Sequence, residues 1–214
     1  MNLLPEPVDG YLNRLAATDD EPVLLEMEAL ADANGFPIVG RLCGVFLEVC
    51  ARAVGARRIF ELGSGFGYSA YWFSRATGSE GEIHLTDGDP ENEAKALDFL
   101  GRAGLDGPIR YHVGDALSAL REVDGDFDIV YCDIDKDGYP DAWRQGRERV
   151  RVGGLYICDN MLWSGRVAGM GGDDGRPEWT AAIDETNTLI AADPDFRSFI
   201  NPTRDGVVTA IRIR

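Results

Sequence analysis

Residues 58–69 read Arg58-Ile59-Phe60-Glu61-Leu62-Gly63-Ser64-Gly65-Phe66-Gly67-Tyr68-Ser69. A short β-rich run enters three alternating glycines, and an aromatic-rich helical stretch over 68–77 leaves them. Strand, glycine turn and helix in that order make a loop whose backbone can bend tightly and approach a ligand closely. Two common versions of this motif fail here. A dinucleotide fingerprint needs glycines at 63, 65 and 68, and position 68 is Tyr. A phosphate-cradling P-loop needs Gly-Lys-Ser/Thr after the turn, and none follows. Glu61 adds a charge argument, since a carboxylate two residues before the first glycine would oppose a pyrophosphate.

Outward from this loop, β-rich runs alternate with helical ones. Strands are expected over 58–62, 82–86, 109–113, 127–132 and 154–158, with helices over 68–77, 91–103, 116–123 and 141–150. Such alternation gives a doubly wound, mostly parallel α/β sheet with helices on both faces. The runs 127–132 and 155–158 are almost wholly apolar, as strands buried on both faces should be. Two or three helices precede the sheet, the clearest over 42–53, and one runs from Trp179 to about Ala192. Two closing strands, 196–200 and 207–213, are joined by the short turn Arg204-Asp205-Gly206 and must pair antiparallel. With no repeat or linker, residues 1–214 read as one domain: N-terminal helices over about 1–54 and a seven-stranded core over 55–214.

In such a sheet the ligand sits at the carboxyl ends of the strands. The first loop suits S-adenosylmethionine, which has no phosphate and carries a sulfonium and an ammonium that Glu61 would favour. The second strand ends in Asp87-Gly88, placed to accept hydrogen bonds from ribose hydroxyls. The third leads to Asp115-Ala116 beside the adenine, although Asp115 could equally cap the next helix. Asp89, before Pro90, reads as turn chemistry. The fourth and fifth strands end in Asp133 and Asp159-Asn160, three oxygen donors on neighbouring strands about 4.8 Å apart. Oxygen ligands suit a hard cation, most simply Mg²⁺, with Mn²⁺ or Ca²⁺ as alternatives. Lys136 lies three residues beyond Asp133, and a lysine beside a divalent cation can serve as a base. The bland alternative for it is a solvated surface lysine. His84 and His112 fall inside strands and read as packing residues.

A calcium loop competes for the same aspartates. Asp133, Asp135, Asp137, Gly138 and Asp141 copy much of an EF-hand, but position twelve is Arg144 instead of Glu, Pro140 interrupts the loop, and a strand precedes it where a helix is needed. Composition removes other classes. Net charge is −16, which repels nucleic acid and anionic membranes. No apolar run is long enough to span a bilayer, and the N-terminus lacks the pattern of a secretory signal. None of the four cysteines forms a C-x-x-C pair, so zinc and disulfide frameworks are poor readings and a reducing cytoplasm is expected. Only Lys95 and Lys136 among 21 basic residues are lysines.

The segments 61–70, 113–116, Asp133-Ile134-Asp135-Lys136 and Asp159-Asn160-Met161-Leu162-Trp163-Ser164-Gly165-Arg166-Val167 together resemble the cation-dependent O-methyltransferases of the catechol and caffeoyl-CoA type. The likeness runs in order from about Phe36 to Ile213. It implies a methyltransferase fold, with Glu61, Gly63, Ser64, Gly65, Gly67, Ser69, Asp87, Gly88, Asp115, Ala116 and Asp133 toward S-adenosylmethionine. It likewise implies Asp133, Asp159 and Asn160 on a metal, Lys136 as base, a small hydroxylated acceptor, and a homodimer. Phe36, Trp163 and the loop 165–175 are expected to cover the acceptor, with Trp143 as a further wall. Two positions depart from the family pattern: Val45 stands where a polar residue usually follows the Gly44 position, and Asn201 stands nearest to a Glu of the catechol enzymes. A metal-independent methyltransferase, a calcium module and a nicotinamide oxidoreductase are the competing classes.

Overall fold

The computed structural model describes residues 4–16, 21–170 and 176–214. Three helices come first: α1 (Glu6–Ala16), α2 (Pro22–Asn34) and α3 (Gly40–Ala53). The alternating core follows: β1 (Arg58–Leu62), α4 (Tyr68–Thr77), β2 (Glu82–Asp87), α5 (Pro90–Arg102), β3 (Ile109–Val113), α6 (Ala116–Glu122) and β4 (Phe127–Cys132). Then come α7 (Tyr139–Gly146), β5 (Val150–Cys158), α8 (Pro177–Ala192), β6 (Phe196–Asn201) and β7 (Val207–Arg212). The seven strands lie in the order β3-β2-β1-β4-β5-β7-β6, all parallel except β7, which runs antiparallel to both β5 and β6.

Period-2 alternation divides the core into two layers. Ile59, Ile129, Tyr131 and Ile157 face α2, α3 and α4, whereas Phe60, Val130, Cys132 and Cys158 face α7 and α8. Gly44 brings α3 against α4; a Cβ there would stand 2.1 Å from the Trp72 indole nitrogen. Two expected boundaries move. The helix expected over 141–150 starts earlier and is short, because α7 passes into a 3-10 turn over Arg147–Arg149. β5 begins at Val150, four residues before the expected 154, because the register against β4 shifts between Phe127 and Ile129. Gly153, at φ 78, is the residue that accommodates this bulge. Among the described residues no helix is long and apolar enough to cross a membrane. All four cysteines are free thiols.

The sheet's spacing continues past its strands. Backbone hydrogen bonds run from Gly114 N to Asp87 O (2.9 Å), Ser64 N to Thr86 O (2.7 Å), Asp133 N to Leu62 O (2.8 Å) and Asp159 N to Cys132 O (3.1 Å). Each loop therefore begins in register with its neighbour, and the first residues beyond the strands are aligned along one edge.

Candidate active site

Along that edge a cavity of about 810 Å³ opens. The glycine loop forms one wall. Gly63 adopts φ 83, and a Cβ on it would lie 2.6 Å from the Asp133 carbonyl oxygen, so β4 can approach only a glycine. Thr86 ties the loop to β2, its hydroxyl accepting from Gly63 N (3.0 Å) and donating to Glu61 O (2.8 Å). Ser64 Oγ accepts from Thr86 N at 3.0 Å, and Tyr111 donates to Gly65 O at 2.6 Å. The Tyr111 buttress was not foreseen, since an exposed-looking strand tyrosine gives no signal in sequence.

Gly63, Ser64, Gly65, Ser69, Asp87, Gly88, Asp115 and Ala116 line the cavity. Gly67, expected among them, does not; it packs on α5, where a Cβ would be 3.1 Å from the Ala96 methyl. Asp87 is held by three donors: Gly65 N (3.1 Å) on Oδ2, and Asp89 N (2.8 Å) and Asn92 Nδ2 (3.0 Å) on Oδ1. Asp115 caps α6 by accepting from Ser118 N at 2.8 Å, and its hydrogen bonds to Ser118 lower its pKa. Asp89 caps α5 through Glu91 N at 2.9 Å.

Glu61, Asp133 and Asp159 project to the same side of β1, β4 and β5, because each stands an even number of residues from Ile59, Tyr131 or Ile157. Glu61 is fully buried. Its Oε1 accepts from the Ser69 hydroxyl, and its Oε2 has no partner. Burial, against the Ser69 hydrogen bond and with help from Asp133, pushes its pKa up to about 8. Asp133 lines the cavity; burial pushes its pKa up to about 6, with Lys136 opposing and Asp159 adding to the rise. Asp159 is 1% exposed, and its Oδ1 is buried with no partner. Asn160 follows on the cavity wall at φ 60.

Two cations face these acids. Lys136 Nζ lies 3.0 Å from Asp133 Oδ1 and 2.8 Å from the Tyr139 hydroxyl, which in turn donates to Asp159 O at 3.0 Å. Burial works to lower the Lys136 pKa, but the Asp133 carboxylate outweighs it and the ammonium sits above its ordinary value. Lys136 is thus a largely covered ionic partner of Asp133, not a solvated surface residue. Arg204, from the β6–β7 turn, places Nη1 2.7 Å from Asp159 Oδ2. Sequence reading missed Arg204 as a site residue and treated it only as part of a turn.

The remaining wall is apolar. Phe36 lies on the glycine loop, with its ring 4.9 Å from that of Phe66. Trp163 lines the cavity with its ring 5.7 Å from that of Trp179, and its buried Nε1 has no partner. Residues 171–175 of the expected cover lie outside the described residues. Two further expectations are corrected. Trp143 is no cavity wall; it packs edge-on against Tyr156 and Phe196 under the opposite face of the sheet. Asn201 does not line the cavity, because its side chain is spent on the turn, accepting from Thr203 N (3.2 Å) and Thr203 Oγ1 (2.9 Å).

The calcium-loop alternative fails on local structure as it does on sequence. Residues 136–138 form a 3-10 turn after a strand, where an EF-hand needs a loop between two helices. Among the described residues no three acidic, His or Cys side chains gather as a metal cluster; Asp133 and Asp159 are two acids, with the Asn160 amide beside them. His84 and His112 pair with each other at 2.9 Å on the α6 side, away from the cavity.

Four non-glycine residues among those described have positive φ: Asn160, Trp163, Ser164 and Arg204. All lie in the two loops that meet at this site, and local strain of that kind gathers where surrounding structure enforces a functional geometry.

The O-methyltransferase family model matches residues 17–213. Catechol O-methyltransferase of Niastella koreensis is 33% identical over 172 residues, covering 78% of this chain and 77% of that protein. Caffeoyl-CoA O-methyltransferase 2 of Populus trichocarpa is 31% identical over 180 residues, covering 80% of this chain and 73% of that protein. The solved O-methyltransferase of Bacillus cereus in complex with SAH superposes with a TM-score of 0.83 at 26% identity, covering 96% of this chain and 97% of that one. The chain, with its seven-stranded sheet and its acids aligned at the strand ends, belongs to the O-methyltransferase family.

Proposed function

We propose that this chain, acting as one domain over residues 1–214, moves the methyl group of S-adenosylmethionine to a hydroxyl of a small phenolic or catechol-like acceptor. In this reading Asp133, Asp159 and Asn160 hold a divalent cation, most simply Mg²⁺. One observation carries it: Asp133 and Asp159 line one cavity, Glu61 is buried on the same side of the sheet level with Tyr131, two residues deeper, and both Glu61 Oε2 and Asp159 Oδ1 are buried without a partner. A buried carboxylate oxygen left unpaired is costly and is favoured by a cation. The ammonium-bearing end of the cofactor suits Glu61, and a hard metal with oxygen ligands suits Asp159 and the adjoining Asn160. Asp87 would take the ribose hydroxyls, and Asp115 and Ala116 the adenine.

When bound, the cofactor supplies an electrophilic methyl carbon and the cation supplies Lewis acidity that favours an ionised hydroxyl. The chain's own residues do the rest. Phe36 and Trp163 exclude water and hold a flat acceptor against the glycine loop. The cofactor would give up that carbon to the acceptor oxygen and keep the C–S electron pair on its sulfur, and the hydroxyl proton would leave. In this reading Lys136 Nζ, which lies between Asp133 and Tyr139, would take that proton. While Asp133 faces it alone, Lys136 remains an ammonium. A divalent cation held by Asp133 would draw on the carboxylate that raises the Lys136 pKa, and would so favour the neutral amine. Alignment of oxygen, carbon and sulfur supplies much of the remaining acceleration.

A second reading, transfer without a metal, is favoured by the fact that Lys136 and Arg204 already neutralise the two acids. Methyl transfer from labelled S-adenosylmethionine to a panel of catechols, hydroxycinnamoyl thioesters and simple phenols separates the two. Loss of activity in EDTA and its return with Mg²⁺ is the expected result. Full activity in EDTA leaves the second reading standing, and binding of NAD in place of S-adenosylmethionine overturns both. The family likeness and the free thiols support a homodimer working in a reducing cytoplasm, with sedimentation of the purified protein as the check on its assembly.

A further inference from the structure

The turn that carries Arg204 is pinned from two sides. Met161 N donates to Gly206 O (2.8 Å), Leu162 N donates to Asp205 O (2.8 Å), and Ser164 N donates to the Asp205 carboxylate. Gly206 seats the turn on Leu162, where a Cβ would come within 2.4 Å of the Leu162 side chain. Arg204 itself is left-handed at φ 52, and its side chain reaches the cavity. Its backbone is therefore fixed, and only the side chain is able to change place.

That side chain meets a carboxylate with unusual demands. Asp159 is almost wholly buried; Oδ2 is bonded to Arg204, while Oδ1 has no partner. Together with Lys136 on Asp133, the guanidinium brings the two acids and two bases to a net charge of zero. A divalent cation entering between Asp133 and Asp159 would meet two resident positive charges, of which Arg204 is the one bonded directly to Asp159.

We propose that Arg204 is a built-in competitor of the divalent cation: its guanidinium holds Asp159 when the cation is absent and leaves that carboxylate when the cation binds. This rests on the metal reading of the same site. The consequence is a site that folds and stays neutral without metal and binds metal only weakly. A unit positive charge within a few ångströms of a divalent ion weakens its binding by about tenfold or more, even with water-like screening.

The test is calorimetric titration of Mn²⁺ into the full chain, wild type against Arg204→Met and Arg204→Gly, with S-adenosylmethionine binding measured in parallel. Glycine relieves the left-handed backbone, so that variant guards against a folding defect in the other. Both variants are expected to bind Mn²⁺ about tenfold or more tightly than wild type, and to gain more in thermal midpoint on adding Mn²⁺. Arg204→Lys, which keeps the charge, is expected to stay weak. If wild type binds Mn²⁺ and the neutral variants bind it no more tightly, the competition is refuted and the metal reading stands. If no form binds Mn²⁺ at millimolar concentration while all bind S-adenosylmethionine, the metal reading falls and takes this proposal with it.

Discussion

Glu61→Gln should separate what the buried carboxylate costs the fold from what it gives the cofactor. Glu61 is fully buried, with one oxygen bonded to Ser69 and the other unpaired. Burial moves its pKa from 4.5 to about 8. Below pH 4.5 the group is protonated in both the folded and unfolded chain and costs nothing. Between 4.5 and about 8 the unfolded chain ionises while the folded chain keeps the proton, so stability falls as pH rises. Above that window the full difference of about 5 kcal/mol is lost. A glutamine at this position does not titrate and escapes the loss. Urea unfolding of the cofactor-free proteins from pH 5 to 9 should therefore show the variant gaining on wild type, with about 3 kcal/mol of that gain reached at pH 7. The comparison cancels other titrating groups that the two proteins share. Binding of S-adenosylmethionine should move the opposite way, weakening about tenfold or more in the variant, because the glutamate can release its proton to pair with the cofactor's ammonium and glutamine cannot. A stability gap that stays constant from pH 5 to 9 would refute the assignment of Glu61 as a strained, cation-seeking carboxylate.

Gly63→Ala should cost about 2–3 kcal/mol in urea unfolding and weaken S-adenosylmethionine, since it adds a left-handed alanine and a Cβ 2.6 Å from the Asp133 carbonyl oxygen. Gly44→Ala drives a methyl into the Trp72 indole at 2.1 Å; a fall of about 3 kcal/mol, read from the denaturant midpoint, follows from overpacking between α3 and α4. Lys136→Ala should slow kcat at neutral pH while leaving cofactor affinity close to wild type, and an unchanged kcat would leave Lys136 only as the ionic partner of Asp133. Tyr111→Phe removes the 2.6 Å bond to Gly65 O, and calorimetry should register about 1 kcal/mol of lost cofactor affinity.

Local chemistry made the strand ends readable from sequence. Apolar runs ending in an acid, at 86–87, 132–133 and 158–159, mark where a buried strand meets solvent, and period-2 alternation then puts Asp133 and Asp159 on one side. The glycine loop was readable for the same reason, because Gly63 answers a backbone contact with the neighbouring strand. Arg204 was not readable. Its role depends on a left-handed turn and on β7 lying beside β5, neither of which leaves a mark in the residues around it. Trp143 was misjudged because a sequence position does not fix the face of the sheet, and Asn201 because correspondence with a family position does not fix the partner of a side chain, which here is Thr203. The boundary of β5 slipped because Gly153-Gly154 looks like a turn and is a bulge inside a strand.

The four hydrogen bonds that carry the ladder one residue beyond β1 to β5 have a bearing on how acceptor preference could diverge. They anchor Asp133 and Asp159 to backbone, and backbone pairing is indifferent to which side chains follow. Insertions or deletions after Asn160, or a recast β6–β7 turn, would reshape the acceptor wall while the acids kept their spacing. If the proposed function holds, the strand-end acids would in that sense be insulated from the loops, and new specificities could be sampled there without moving Asp133 or Asp159.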